Sequence, residues 1–214
     1  MSRVYIYVVD RDFGFAPNPF HGVCTLATCK PGIRRSAQVD DWVIGVGGQR
    51  LRATGRCVFG MRVDETLSFN AYWSAAEFQK KKPVRNGSRT MLVGDNIYHR
   101  ENGSWIQADS HHSNPDGSAN MINVRNDTSA DSVLISRHFY YFGANAPAIP
   151  PGILTTLGYR NGRNYRVFPI TDAKSLLSWL RGFRPNYLHD EPADFQLSSA
   201  RYSGQGSRII INER

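Results

Sequence analysis

The 214-residue sequence has few cysteines and no long apolar run. Its three cysteines, Cys24, Cys29 and Cys57, are an odd number without a secretory context, so we expect free thiols and no disulfide framework. The apolar stretch 4–9 is too short and too β-branched for a signal peptide or a membrane-spanning helix. These absences predict a cytoplasmic protein with no membrane partner.

The composition is that of a folded domain. Hydrophobic residues make up 41% of the chain and aromatic residues 12%, which excludes a wholly disordered protein. No internal repeat is visible, and the length suits one core. We expect a single domain over residues 1–197, followed by a flexible Ser/Gly-rich tail over residues 198–214.

The charge balance favours an anionic partner. Lys and Arg number 26 against 18 acidic residues, which gives a formal net charge of +8. A positive surface attracts nucleotides, nucleic acids and acidic lipids, although net charge informs on association and not on fold. We therefore expect a phosphate-bearing ligand.

Hydrophobic periodicity predicts an α+β fold. Residues 4–9 have the pattern of a buried strand, and residues 39–48 and 52–63 that of two strands joined by a Gly-rich turn. Such hairpins build small barrels. Apolar side chains at helical spacing predict a helix over 171–181, and Ile209–Ile211 has the pattern of a last strand.

The middle of the chain gives weaker signals. Ser74 and Glu77 have capping-box spacing, which predicts a short helix that ends before Pro83. Residues 84–131 are polar and predict long loops, interrupted by brief strands at 91–93 and 105–107.

A basic turn is the first candidate binding element. Lys30, Arg34 and Arg35 surround a Pro-Gly turn, and guanidinium forks with turn amides fit phosphate oxygens well. The alternative is a solvated basic turn. A second basic run, 80–82, lies beside Tyr72 and Trp73 and has the same two interpretations, nucleic-acid contact or a solvated helix end.

The cysteines allow two further hypotheses. Together with His21, they could supply four zinc ligands, but the spacing departs from that of a zinc knuckle, so we predict no metal. Cys24 or Cys29 could act as a nucleophile, for which only the neighbouring cations argue.

Two polar loops could supply acid–base groups. Asp95 and His112 both lie in such loops, and a carboxylate that orients an imidazole is the usual way to set a general base near neutral pH. We predict these two residues as the catalytic pair. The alternative is that either is a surface or structural residue.

Several separated strings of the sequence resemble one protein family. They are the segments 12–20, 24–27, 29–34, 41–45, 94–98, 112–113, 133–136 and 139–143. Over about residues 4–150, the chain is similar to a bacterial and phage family called the nucleotide modification associated domain, second type. The resemblance implies an association with nucleic-acid base modification or phage conflict systems, and no settled reaction.

Two details refine this resemblance. Where the family pattern has Gly-Asp-Trp, this chain has Asp40-Asp41-Trp42. The strand, Asp-Trp turn, strand pattern over 39–63 is also similar to PUA-like barrels, whose EVE, ASCH and YTH relatives hold a nucleobase in an aromatic-lined pocket. This second resemblance implies a small PUA-like mixed or antiparallel β-barrel with a few peripheral helices.

The leading hypothesis joins the 10–41 loop and the 94–113 loops into one nucleotide or nucleobase site. Asn18 and Asp95 would read base edges, and Trp42, Tyr72 or Trp73 would stack. As an enzyme, the protein would use Asp95 and His112 to change or remove a base modification. No cofactor is indicated.

Two alternatives remain. The protein could be a non-catalytic reader of modified DNA in antiphage defence, or an accessory subunit that binds a partner protein of a modification or defence system through the apolar 13–20 loop.

Overall fold

The computed structural model describes residues 2–205 and 209–211, which form a mixed α+β structure. In chain order, its strands are β1 (Arg3–Val9), β2 (Cys24–Leu26), β3 (Trp42–Gly47), β4 (Cys57–Arg62), β5 (Glu65–Leu67), β6 (Tyr98–Glu101), β7 (Ser104–Gln107), β8 (Val133–Ser136), β9 (His138–Tyr141), β10 (Tyr165–Pro169), β11 (Tyr187–Leu188), β12 (Arg201–Tyr202) and β13 (Ile209–Ile210). Its α-helices are α1 (Pro31–Ser36), α2 (Phe69–Ser74), α3 (Arg89–Leu92), α4 (Met121–Asp127), α5 (Pro151–Leu157) and α6 (Lys174–Leu180).

The main sheet has six strands in the order β10-β1-β3-β4-β9-β11. Strand β1 is parallel to β3 and antiparallel to β10, and the β3–β4 pair is antiparallel. The residues of β3 are all buried, which explains its unbroken apolar run. Helix α6 closes one side of this core through Leu176, Leu177 and Leu180.

A second group of strands lies within and beside the 10–41 and 94–113 loops. Strands β2, β8 and β5 form a three-stranded sheet, and β6 and β7 form a hairpin. A second apolar cluster lies around these elements and includes Phe13, Phe15 and Phe20 from the segment that follows β1. The apolar 13–20 loop is therefore held against the domain, because its phenylalanines are buried.

A buried carboxylate also fixes this loop. Asp12 accepts hydrogen bonds from the Tyr141 hydroxyl and from the backbone N–H groups of Gly14 and Ala193. Burial raises the pKa of Asp12 to about 6, against the lowering effect of the Tyr141 hydrogen bond. The loop is thus tied to β9 and to the segment that follows β11.

The predicted α+β class is confirmed, and so are the strands at 4–9, 39–48, 52–63 and 209–211 and the helix within 171–181. The described residues form no closed barrel, because the main sheet ends at the open edge strands β10 and β11. The PUA-like barrel is therefore not confirmed.

The short helix predicted before Pro83 is present as a 3-10 helix over Ala76–Lys81, but Ser74 does not cap it, because Ser74 ends α2, whose N-cap is Ser68. The strand predicted at 91–93 is wrong, since residues 91 and 92 belong to α3. The polar region also contains α4, which the sequence pattern did not reveal. Its Asn120 cap accepts hydrogen bonds from two backbone N–H groups of the first turn.

The turn before β3 explains the departure from the family pattern. Asp40 has a φ of 69°, in the left-handed region that Gly adopts without strain and that Asp tolerates better than most residues. The C-terminal segment packs in part on the domain, since Ser198, Ala200 and Arg201 are buried. Residues 206–208 and 212–214 of the predicted flexible tail lie outside the described residues.

No helix in the described parts of the chain is long and apolar enough to cross a membrane.

Candidate active site

A thiol, an imidazole and a carboxylate from three separate segments meet beside one cavity. Cys29 Sγ lies 3.7 Å from His112 Nε2. On the far side of the ring, His112 Nδ1–H donates to Asp127 Oδ2 over 2.7 Å. This order of groups is that of a nucleophile, a base and an orienting acid.

The Cys29 backbone has an unusual conformation. Cys29 and Lys30 have φ values of 56° and 40°, both in the left-handed region that non-glycine residues rarely adopt. Such backbone costs free energy and persists where surrounding contacts impose it. One such contact is the hydrogen bond from the Cys29 N–H to Asp127 Oδ1, over 2.8 Å.

The backbone of His112 is held as well. Its carbonyl accepts hydrogen bonds from Asn123 Nδ2 over 2.8 Å and from Gln107 Nε2 over 3.1 Å. Gln107 also donates to the Tyr98 hydroxyl, which in turn donates to Asp127 Oδ2 over 2.9 Å. The base and the acid therefore belong to one buried network.

The electrostatics favour a charged imidazole. Burial lowers the pKa of His112, but the Asp127 carboxylate and the Cys29 thiolate outweigh it and raise this pKa to about 10. Burial raises the pKa of Asp127, but His112 and Arg34 hold it below its ordinary value. An imidazolium beside a sulfur atom stabilises the thiolate, which is the nucleophilic form.

A cavity of about 210 Å³ opens beside the sulfur. This is smaller than the cavities that hold drug-sized ligands, and it suits a single ring or a short acyl group. Its lining residues are Tyr7, Val8, Val9, Asp10, Arg11, Phe13, Phe15, Ala16, Cys29, Lys30, Arg50, His111, His112 and Tyr202.

The structure brings together two of the residues predicted from the sequence. His112 and Lys30 both line this cavity, and so does Cys29, the alternative nucleophile. Lys30 Nζ lies 4.5 Å from the centre of the Tyr7 ring, and burial lowers the pKa of Lys30. Lys30 and Arg50 take part in none of the ion pairs between described residues.

Arg34 and Arg35 have different surroundings. The buried Arg34 guanidinium donates to four backbone carbonyls, those of Cys29, Asp127, Ala130 and Ser132. Arg34 thereby joins the backbone at Cys29 to the end of α4 and the residues that follow it. Arg35 is exposed and donates to the Ser129 carbonyl.

Asp95 and Asn18 lie in a separate buried network. Thr25 and Tyr72 donate their hydroxyls to the Asp95 carboxylate, and Lys81 Nζ donates to Asn18 Oδ1 over 2.9 Å. Burial raises the pKa of Asp95 to about 6, against the effect of Lys81, and lowers that of Lys81 to about 8. No hydrogen bond or ion pair between described residues links Asp95 to His112.

The predicted stacking residues lie apart from the cavity. Trp42 is buried in β3, where its ring contacts Tyr140 and His138. Trp73 stacks on His99 at 4.1 Å between ring centres, and Lys82 Nζ lies 3.7 Å from the Trp73 ring.

The side chains of Cys29, His112 and Asp127 could also be considered for a metal ion, since their ligand atoms lie within 4.8 Å of one another. The fit is poor. A tetrahedral structural zinc site needs four ligands, whereas Cys29, His112 and Asp127 offer three, and both Asp127 oxygens already accept hydrogen bonds. Of the other proposed zinc ligands, Cys24 and Cys57 are buried in the core.

Sequence reasoning did not find Asp127. It lies 98 positions from Cys29 and 15 from His112, at the end of a helix in a polar region without a clear period. The one sequence signal that could have indicated α4 is Asn120 as a helix cap, but a cap does not indicate the role of the last residue of the helix.

Comparisons with known proteins support one assignment. Neither the curated proteins nor the solved structures gave a significant match. The model of the family described as nucleotide modification associated domain 2 matches residues 1–199, which contain Cys29, His112 and Asp127. The chain therefore belongs to the nucleotide modification associated domain 2 family.

Proposed function

We propose that this protein is a cysteine-dependent enzyme that removes or transfers an acyl group carried by a nucleotide or a modified nucleobase. The observation that carries the proposal is the contact chain from Cys29 through His112 to Asp127 at the wall of a cavity. Membership of the nucleotide modification associated domain 2 family supports a nucleotide-linked substrate.

The proposed reaction has two steps. The Cys29 thiolate attacks the acyl carbon and forms a C–S bond, and the carbonyl oxygen becomes an oxyanion. As the tetrahedral intermediate collapses, His112 gives its proton to the leaving nitrogen or oxygen, and the bond to the acyl carbon breaks. Neutral His112 then takes a proton from water, which attacks the thioester and releases a carboxylic acid and the free thiol.

Asp127 and Arg34 act through these groups. Asp127 fixes the ring orientation of His112 and stabilises its charged form, as the acid of a triad does. Arg34 holds the carbonyls of both Cys29 and Asp127 and so sets the distance between them. Both are positioning residues.

Lys30 is the proposed anion-binding group. It lines the cavity, and with Arg50 it outweighs the negative charge of Asp10 there. A carboxylate or phosphate on the substrate fits this balance. Asn18, Arg34, Arg35, Trp42 and Asp95, for which binding or catalytic roles were predicted, are not among the residues that line the cavity, so we base the substrate contacts on Lys30 and His112.

A panel of N-acyl and O-acyl nucleosides, nucleotides and oligonucleotides tests the proposal. Intact-mass measurement after rapid acid quench is expected to show an acyl adduct on Cys29, together with loss of the acyl group from the substrate. Cys29→Ala abolishes both, whereas Cys57→Ala keeps both. Turnover by Cys29→Ala at the wild-type rate excludes the proposal.

A non-catalytic reader of modified DNA in a bacterial or phage defence system is the competing hypothesis. The cavity aromatics Phe13 and Phe15 pack against His111 and His112, with ring centres 4.6 and 4.7 Å apart respectively. Their faces are therefore covered in part by imidazoles. Tight binding of a modified nucleotide without any mass change, equal in wild type and Cys29→Ala, would support the reader.

A further inference from the structure

His111, the neighbour of the proposed base, also lines the cavity. It is 3% exposed, and its ring lies 4.6 Å from that of Phe13 and 5.1 Å from that of Phe15. The proposed reaction gives this residue no role. A buried imidazole in a reaction cavity is a polar group whose hydrogen bonds must be accounted for.

One hydrogen bond fixes the tautomer of His111. Its Nδ1 lies 2.6 Å from the carbonyl oxygen of Ala200. A carbonyl can only accept, so Nδ1 carries the proton, and in the neutral ring Nε2 presents a lone pair. No hydrogen bond between described residues uses His111 Nε2.

The surroundings keep this ring neutral. Burial, together with positive charge on His112, Arg85 and Arg201, lowers the pKa of His111 to about 3, although the Ala200 carbonyl opposes this. His112, 5.8 Å away between ring centres, has a raised pKa. Adjacent histidines thus have opposite roles, one a proton donor and the other an acceptor.

We propose that His111 Nε2 accepts a hydrogen bond from an N–H of the substrate, so that the site selects amides, such as N-acyl nucleobases, over the corresponding esters. This inference rests on the proposed function and names its substrate class. An ester places an oxygen lone pair where the amide has its N–H, so the His111 acceptor is left unpaired once the substrate covers it.

Two alkylating agents of the same shape test this selectivity without the natural substrate. N-methyl-2-iodoacetamide has an N–H at the position where methyl iodoacetate has an oxygen atom. We measure the alkylation rate of Cys29 by each agent and divide the ratio of the two rates by the ratio for N-acetylcysteine. The wild type is expected to favour the amide by about fivefold, the effect of one net hydrogen bond.

Variants at His111 separate the hydrogen bond from the shape of the pocket. His111→Phe, which has no acceptor, is expected to reduce the preference to that of N-acetylcysteine, and His111→Asn, which keeps an acceptor oxygen, to retain part of it. Equal preference in wild type and both variants overturns the proposal. Thermal unfolding of each variant shows whether it is folded.

A measurement on the wild type avoids the variants altogether. Long-range ¹H–¹⁵N spectra of the full chain at neutral pH are expected to show His111 Nε2 without a proton, and a proton on Nε2 refutes the inference. The two failures are distinguishable: an unreactive Cys29 contradicts the proposed function, whereas a reactive Cys29 without amide preference contradicts only the role of His111.

Discussion

The backbone N–H of Cys29 donates to Oδ1 of Asp127 over 2.8 Å. The carboxylate that orients the His112 ring through its other oxygen therefore also holds the proposed nucleophile in place. This amide is already used, so it does not serve as a donor to the oxyanion, unlike the nucleophile's own N–H in serine proteases.

We expect Cys29 to be the reactive thiol of the native protein. Burial raises the pKa of Cys24 to about 12 and raises that of Cys57 as well, so both remain protonated and inaccessible. Treatment with iodoacetamide at neutral pH should give a single adduct, which peptide mass spectrometry places on Cys29. Equal labelling of Cys24 in the folded protein contradicts this expectation.

Asp127→Asn should slow the alkylation of Cys29 by about tenfold or more at pH 7, since one pKa unit of His112 corresponds to about 1.4 kcal/mol. The reason is the loss of the negative charge that raises the pKa of His112. Tyr98→Phe keeps the carboxylate, removes its hydrogen bond from Tyr98 together with the bond from Gln107 to that hydroxyl, and serves as the milder control, with an expected two- to threefold effect. An unchanged rate in Asp127→Asn rejects the triad.

Lys30→Gln should reduce the alkylation of Cys29 by iodoacetate, an anion, more than that by neutral iodoacetamide. The expected loss in the ratio of the two rates is about three- to tenfold, as for one partly buried charge, and added salt should diminish it. Lys30→Arg keeps the charge and the ratio. Lys80→Gln, at an exposed site, is the matched control, and a similar loss there removes Lys30 from the site.

Arg34→Met should lower the free energy of unfolding by roughly 3–5 kcal/mol, because it leaves four backbone carbonyls without their charged donor. Arg35→Met changes a neighbouring exposed arginine with one carbonyl contact, and about 0.5 kcal/mol or less is expected. Urea unfolding measures both. Equal destabilisation by the two substitutions contradicts the structural role of Arg34.

Asp12 predicts a pH dependence of stability. Burial raises its folded-state pKa to about 6 from 3.8, so between these values the folded state binds more protons than the unfolded chain. Stability from this group therefore falls as the pH rises from about 4 to about 6. The free energy of unfolding of wild type relative to Asp12→Asn should fall by roughly 2–3 kcal/mol over this window.

Denaturant titrations at pH 4.5 and pH 7 measure this difference. Asp10→Asn, at an exposed neighbouring position, is the control and should show no comparable change. A difference between wild type and Asp12→Asn that is constant with pH contradicts the raised pKa.

The sequence predicted the sheet better than the site. Strands β1 and β3 follow from unbroken β-branched and aromatic runs, and α6 from leucines at helical spacing. The Ser74–Glu77 spacing predicted the wrong capping residue, because a local spacing does not determine where the preceding helix ends. Here Ser68 caps the preceding helix.

The residues of the candidate site could be predicted only in part, because they lie far apart in the chain. His112 and Lys30 were named from local composition, and Cys29 was considered as a nucleophile. Asp95 has the local pattern of a catalytic acid, yet Thr25 and Lys81 from distant segments enclose it in another network. Only the tertiary fold brings Asp127, rather than Asp95, to the imidazole.

The Arg34 guanidinium has a consequence for folding experiments. It contacts the Cys29 loop and the segment from Asp127 to Ser132 at once, so the proposed nucleophile is activated only after these distant pieces have docked. An unfolded or half-assembled chain has three ordinary cysteines. The labelling pattern therefore reports on native assembly, since Cys24 and Cys57 become buried during refolding while Cys29 becomes the faster-reacting thiol.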